Sequence, residues 1–237
     1  MLCYKLFIRR RRVSMLIKKI AFRALYFCAA LLALTVIIAE LSPRIVVFAL
    51  TKLCFSALFI AVLALAGQLR NSLTQSREQK RRTVRNTLWV IFAFYLFNLI
   101  WLLYFDGAYD RIASKTDFST YIALKTNFVP LVTIRRFLSN ISNDTYASSA
   151  VINLVGNIAA FMPLAFFCPL LISFLRKAWL FIPLLFLSLV GIEGLQLLLR
   201  VGSCDVDDVI LNFLGALFIY LLMKVPPIQR YAKRLDS

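Results

Sequence analysis

The chain has 237 residues, of which 61% are hydrophobic and only 16% are charged. A soluble domain is usually about 45–50% apolar, so this composition predicts a protein that crosses a membrane several times. Its formal charge of +17 comes from basic blocks that flank apolar runs, which is typical of topology determinants and does not indicate nucleic-acid binding. Histidine is absent, which excludes Ser-His-Asp triads and histidine metal ligands.

Six apolar runs are each long enough to cross a bilayer, and they predict an all-α, polytopic helical bundle. The first run follows the basic residues 1–23, and we interpret it as a retained signal anchor. It is separated from the second only by Ser42, Pro43 and Arg44, which predicts a transmembrane hairpin over 24–67. The predicted spans are at about 24–41, 45–67, 88–105, 151–175, 178–199 and 206–223.

Basic residues are concentrated in alternate connections, and this asymmetry orients the bundle. The basic segments are residues 1–23, 68–87, 176–177 and 225–237. Because loops rich in Lys and Arg remain in the cytoplasm, we expect both termini to be cytoplasmic in a multi-pass protein of the cell membrane. The 68–87 segment is then a basic cytoplasmic loop, 225–237 is a basic cytoplasmic tail, and 106–150 is extracytoplasmic.

The extracytoplasmic segment contains one less polar stretch, TNFVPLVTI, from Thr126 to Ile134. Pro130 disfavours a continuous helix there, because proline lacks the N–H that a helix needs. The stretch predicts an interfacial or re-entrant segment that packs on the outer mouth of the bundle.

The last three spans carry polar residues inside apolar runs, where such groups are costly. Their spacings are i, i+4; i, i+3; and i, i+3, i+7, so each set lies on one helix face. In the predicted topology one member of each set lies about 9 Å below the outer boundary. The sets predict one shared, outward-facing polar pocket, and they comprise Asn153 and Asn157; Glu193 and Gln196; Asp205, Asp208 and Asn212.

A structural alternative stays open for each of these residues. A lone Asn or Gln in a span often forms a helix-to-helix hydrogen bond, and Asp205 is a good N-cap. Asp207 points away from its neighbours and would serve the N-terminus of the last helix through the helix dipole. For Lys52 we favour snorkelling to the interface over an ion pair with Glu40 or Glu193.

Glycine and proline residues in the same spans have a structural interpretation. We expect the glycines to allow close contact between helices and the prolines to kink their helices. The glycines are Gly156, Gly191, Gly194 and Gly215, and the prolines are Pro163, Pro169 and Pro183.

The carboxylates of the polar set allow more than one chemistry. Glu193 and Asp208 are the candidate catalytic residues, since without histidine an acid–base role falls to carboxylates, Lys or Tyr. Asp205 and Asp208 are candidate ligands for a hard cation such as Mg²⁺ or Ca²⁺. The same groups would suit a pocket that hydrogen-bonds sugar or amide groups. No cofactor is evident, and a divalent cation is possible.

The motifs in the C-terminal half resemble those of the VanZ-like family of bacterial membrane proteins. They are NFVPLVTI at 127–134, NLVGNIAAFMPL at 153–164, IEGLQ at 192–196 and GSCDVDDVILNFLG at 202–215. The resemblance assigns 88–224 to a VanZ-like membrane domain and adds Asn127 to the predicted ligand-binding residues. Two departures concern the turn before the Asp cluster, where Val201 and Cys204 stand at positions that are often Arg and aromatic.

The resemblance implies a role in the cell envelope, because the founding member is associated with resistance to the glycopeptide teicoplanin. We therefore expect a protein in the lipid bilayer that binds an amphiphilic or lipid-linked envelope molecule and alters antibiotic susceptibility. The alternatives are a membrane-embedded enzyme, with or without a metal ion, that acts on a lipid head group or a lipid-linked envelope precursor, and a transporter component. The oligomeric state stays open.

Overall fold

The structure is a computed structural model, and it describes residues 2–42, 49–105, 117–141 and 147–236. The described part is almost entirely helical, which confirms the predicted all-α class. Its helices are α1 (Leu2–Leu41), α2 (Ala49–Leu73), α3 (Arg77–Tyr104), α4 (Phe118–Lys125), α5 (Val132–Ile141), α6 (Ala147–Ala160), α7 (Met162–Leu171), α8 (Ala178–Leu198), α9 (Val206–Leu222) and α10 (Pro226–Asp236). Two short strands, β1 (Thr126–Asn127) and β2 (Cys204–Asp205), pair in parallel.

Five helical segments of the described residues are long and apolar enough to cross a membrane, and a bent pair of helices would make a sixth. The five are Val13–Leu41, Thr51–Leu73, Arg77–Tyr104, Val151–Leu171 and Ala178–Leu198. The bent pair is α9 and α10, which meet at 82°. These segments correspond to the six predicted spans and confirm a polytopic helical protein. The orientation of the termini stays a prediction.

The basic segment at 68–87 is not the loop that we predicted. Helix α2 continues to Leu73 and α3 begins at Arg77, so only residues 74–76 are non-helical. Arg, Lys and Gln are good helix formers, and an ion pair between Arg82 and Glu78, 2.5 Å apart, joins adjacent turns of α3. The hydrophobicity of the sequence indicates where a span leaves the membrane, but it does not indicate where the helix ends.

The chain divides into two compact units, one up to Phe94 and one from Tyr95 onward. The first unit contains the α1–α2 hairpin, whose buried residues include Ala29, Val36, Phe59 and Leu63. Phe94 joins this core through its ring, whose centroid lies 4.3 Å from that of Phe59.

Lys52 forms an ion pair with Glu40 in this hairpin, so the interpretation that Lys52 snorkels alone was wrong. Its Nζ lies 3.0 Å from Oε1 and 3.0 Å from Oε2 of Glu40. The Glu40 side chain is 7% exposed and that of Lys52 is 29% exposed. The hairpin brings the two residues face to face, and a carboxylate in a low-dielectric setting is stabilised by such a partner.

The second unit packs α6 and α7 against α9 at one close approach. A Cβ atom on Gly215 would lie 2.8 Å from the carbonyl carbon of Ile158 and closer still to its oxygen, so only glycine fits. The prediction of close helix contact is therefore confirmed at Gly215. It was wrong at Gly156, Gly191 and Gly194, where a Cβ would meet no atom of the described residues within 4 Å.

A proline stands directly after the break between α6 and α7. Pro163 stands in the first turn of α7, where its missing N–H leaves no hydrogen bond unmade. Phe161 separates the two helices and is buried. Pro169 and Pro183 lie inside α7 and α8.

Arg176 holds α10 against the end of α7. Its Nε donates to the carbonyl oxygen of Pro169 at 2.8 Å, and its Nη1 lies 2.5 Å from a carboxylate oxygen of Asp236. Ala232 and Leu235 bury the apolar face of α10. The opposite end of the same unit carries the candidate site.

Candidate functional site

The turn between α8 and α9 ends one helix tightly and supports the site. Arg200 has a φ of 55°, and the N–H of Val201 donates to the carbonyl oxygen of Gln196 at 2.9 Å. The N–H of Arg200 donates to Leu197 at 3.1 Å. These two bonds form a Schellman motif, which satisfies carbonyl groups at the end of α8. A non-glycine residue in this left-handed conformation is uncommon.

Helix α4 and strand β1 dock on this turn. The Tyr121 hydroxyl donates to the carbonyl oxygen of Gly202 at 2.5 Å, and the Arg200 guanidinium lies 5.0 Å from the centre of the Phe118 ring. Strand β1 pairs with β2, with Asn127 opposite Asp205. Segments about eighty residues apart in the chain are thereby joined at the start of α9.

Asp205 caps α9, which confirms the N-cap interpretation. Its Oδ1 accepts from the N–H of Asp207 at 2.9 Å and from Nδ2 of Asn127 at 3.1 Å. Its Oδ2 accepts from the hydroxyl of Thr133 at 2.6 Å. Both carboxylate oxygens therefore already have donors. Asn127 belongs to this cap, and it also donates to Thr133 Oγ1 at 3.1 Å.

Asp207 caps a second helix, which we did not predict. It is fully buried and accepts three backbone N–H bonds: from Leu131 at 2.5 Å, Thr133 at 2.7 Å and Ile134 at 3.1 Å. These are donors at the start of α5, which have no partner within their own helix. Asp207 also lies in the first turn of α9, where we predicted it, and the docked β1–α5 segment brings a second helix N-terminus to it.

A cleft of about 590 Å³ opens beside this cap, lined by α3, α6, α8 and α9. Six of the eight predicted ligand-binding residues line it: Asn153, Asn157, Glu193, Gln196, Asp208 and Asn212. Asn127 and Asp205 are absent from its lining. The rest of the wall is apolar or small and consists of Leu102, Leu103, Ile152, Gly156, Ala160 and Phe161.

Hydrogen bonds hold four of the six polar side chains of the cleft in place. Asn157 Nδ2 donates to Asp208 Oδ1, which links α6 to α9. Gln196 Nε2 donates to the carbonyl oxygen of Leu103 at 2.9 Å, which links α8 to α3. Glu193, only 6% exposed, accepts from the backbone N–H of Asp205 at 3.3 Å. The cleft and the cap therefore share one hydrogen-bonded framework.

Asn212 differs from these four side chains because its amide oxygen is buried without a partner among the described residues. It is 5% exposed and lines the cleft. Within the described part of the chain, no donor reaches its buried Oδ1. Leaving a buried acceptor unpaired costs about 1–3 kcal/mol.

The family of the chain follows from a comparison of its sequence with family models. The model described as VanZ/LLP1 matches residues 92–227, more than half of the chain and every residue of the cleft. The chain belongs to the VanZ/LLP1 family. No curated protein and no solved structure matches it. The resemblance found in the sequence motifs is thus confirmed, and the α1–α2 hairpin lies outside the matched region.

The two predicted ligands for a divalent cation, Asp205 and Asp208, lie in different surroundings in this VanZ/LLP1 domain. Within the described residues, no group of three or more Cys, Asp or Glu side chains could hold a metal ion. Asp205 uses both oxygens in the cap. Of the two predicted metal ligands, Asp208 alone lines the cleft.

Three contacts that support the candidate site were not predicted from the sequence. Thr133 and Asp207 join the cap, and Tyr121 anchors α4. Two of these residues lie in the quoted motifs, since NFVPLVTI contains Thr133 and CDVDD contains Asp207. Their proximity in space was the missing information.

Burial raises the pKa of the nearby Cys204 thiol, and the carboxylates of Glu193 and Asp205 raise it further.

Proposed function

We propose that this protein binds the head group of an amphiphilic or lipid-linked envelope molecule in the cleft. Binding takes place from the outer side of the cell membrane and alters susceptibility to teicoplanin-type glycopeptides. The observation that carries the proposal is the convergence of six polar side chains from three helices on one cleft. Polar residues placed in apolar helices are retained in general where they line a site or a partner.

The composition of the cleft favours an amphiphile over a fully polar ligand. Glu193, Asp208 and Asn212 supply polar contacts, while Leu102 and Phe161 are among its apolar residues. Its volume of about 590 Å³ falls within the range of about 300–1,000 Å³ that is common for small-molecule sites. A head group can then contact the polar side chains while the apolar wall accepts part of a chain.

The outward orientation is supported by the distribution of basic residues in the sequence. The basic segments 1–23, 68–87 and 225–237 would remain in the cytoplasm. The turn at 200–205 beside the cleft follows the fifth of six spans, so it faces outward when both termini are cytoplasmic. A ligand would enter from the outer leaflet, where glycopeptides meet lipid-linked envelope precursors.

The test is a susceptibility assay in bacteria that depend on this protein for a measurable teicoplanin phenotype. Glu193→Gln, Asp208→Asn and Asn212→Leu each keep the approximate side-chain size, and we expect each to abolish the phenotype at unchanged membrane levels. The matched control is Glu78→Gln, which alters an exposed carboxylate on α3 away from the cleft lining. Full activity of all three cleft variants would refute the proposal.

A second candidate function is a membrane-embedded enzyme, which the presence of two carboxyl groups in one cleft favours. Glu193 would act as a base on a lipid head group, and Asp208 would hold substrate or a divalent cation. This reading predicts turnover of a lipid-linked precursor by purified protein that Glu193→Gln stops while binding remains. A binding protein would show no turnover with or without added Mg²⁺.

A further inference from the structure

We propose that the cleft selects a head group that carries a protonated amine, in preference to a phosphate or an uncharged sugar. The inference rests on the proposed binding function and specifies the chemical class of the ligand. It follows from three features of the cleft: its charge, its balance of donors and acceptors, and its unpaired amide.

The ionisable side chains that line the cleft are all acidic. Its lining contains two carboxyl groups, Glu193 and Asp208, and the described residues that form it include no Lys or Arg. A phosphate group there would lie beside two acidic groups without a basic partner among the described lining residues, although the chain as a whole carries a charge of +17. An ammonium group would instead supply the missing countercharge, and oppositely charged partners attract strongly in a poorly solvated site.

The hydrogen-bonding groups of the cleft lean toward acceptors. Asn157 and Gln196 each commit a side-chain N–H to an acceptor within the protein. Their carbonyl oxygens, together with the carboxyl groups of Glu193 and Asp208, leave the cleft rich in oxygen. An ammonium group offers three donors and no acceptor, so it complements this set better than a sugar hydroxyl, which needs both.

Asn212 supplies an independent indication of a ligand. Its side chain is 95% buried, it lines the cleft, and its Oδ1 meets no donor from the described residues. Buried polar atoms are nearly always paired, and an exception points to a missing water, ion or ligand. A bare metal ion would leave most of the 590 Å³ unfilled. An amine joined to an apolar chain would use both the oxygens and the apolar wall.

The experiment compares three dodecyl amphiphiles that differ only in the head group. Purified protein in micelles of an uncharged polyoxyethylene detergent receives an equimolar mixture of dodecylammonium, dodecyl glucoside and dodecyl phosphate. Native mass spectrometry then counts the adducts of each. Asn212→Leu, Asp208→Asn and Glu193→Gln define the adducts that depend on the cleft, and Glu78→Gln is the control for exposed carboxylates.

We expect the cleft-dependent adduct of dodecylammonium to exceed that of dodecyl glucoside by about tenfold, which corresponds to about 1.4 kcal/mol. Asp208→Asn and Glu193→Gln should reduce this preference, and Glu78→Gln should preserve it. All variants are first compared by thermal unfolding, and the two amide isosteres remain informative if Asn212→Leu lowers stability.

The possible failures are distinguishable. If dodecyl phosphate or dodecyl glucoside dominates the cleft-dependent adducts, the amine inference is wrong while the proposed binding function stands. If dodecylammonium binds equally well to wild type and to every cleft variant, it binds elsewhere, and the inference is wrong. If none of the three adducts depends on the cleft residues, the proposed function fails as well.

Discussion

Replacement of Gly215 by alanine is expected to force α6 and α9 apart. The new Cβ would lie 2.8 Å from the carbonyl carbon of Ile158 and 3.1 Å from its Cγ2, whereas ordinary contact begins at 3.4 Å. Backbone atoms cannot rotate away as a flexible side chain can. Overpacking costs about 1–3 kcal/mol or more, while alanine gains about 0.5–1 kcal/mol over glycine within a helix. The net expectation is a loss of about 2 kcal/mol.

The assay is thermal unfolding of the purified protein in detergent, followed by intrinsic fluorescence. A loss of about 2 kcal/mol lowers the midpoint by about 4–8 °C in a chain of this size. The matched control is Gly191→Ala, where a Cβ would meet no atom of the described residues within 4 Å, so its unfolding midpoint should stay level or rise. Equal behaviour of the two variants would refute the reasoning from helix contact.

Three further predictions test other parts of the structure. Asp207→Asn removes the charge from an acceptor of three N–H bonds and should cost about 3 kcal/mol; hydrogen exchange at the start of α5 should accelerate, and unchanged exchange would contradict the cap. Lys52→Met should lower the free energy of unfolding by about 1–2 kcal/mol, because it leaves the Glu40 carboxylate without its ion-pair partner. Adding Glu40→Leu should restore the unfolding midpoint. A double variant less stable than the single one would argue against the ion pair. Burial and nearby carboxylates raise the pKa of the Cys204 thiol. An impermeant maleimide should therefore label Cys204 in intact cells, and the labelling rate should continue to increase at pH values above the usual pKa of a thiol. Labelling only in opened cells would reverse the predicted orientation.

Much of the fold could be predicted because membrane insertion depends on composition over a local window. Each span corresponds to a run of apolar residues, and the structure has helices at all six. Helix ends were less predictable, as residues 68–87 show, since basic residues extend helices beyond the bilayer. The glycine contacts were predictable only in part. Whether a glycine faces a neighbouring helix, as Gly215 does, or open space, as Gly191 does, depends on tertiary packing.

The candidate site was predictable where helical spacing was sufficient. Asn153 and Asn157 share a face because they are four residues apart, and the same logic joins Glu193 to Gln196. All four line the cleft. Spacing failed for Asp205, whose position on the same stripe as Asp208 suggested a shared role. Its side chain turns to the cap because the docked β1–α5 segment supplies the donors of Asn127 and Thr133.

The sequence by itself determined the membrane-spanning class, the family and the faces on which polar residues lie, because these follow from local composition, motif order and helix periodicity. The tertiary structure decided which polar groups satisfy one another. Asp207 accepts from N–H groups more than seventy residues away, whereas Asn212 lacks a donor for its buried oxygen within the described chain. Hydrogen bonding requires contact within about 3 Å, and the folded chain alone brings distant segments that close.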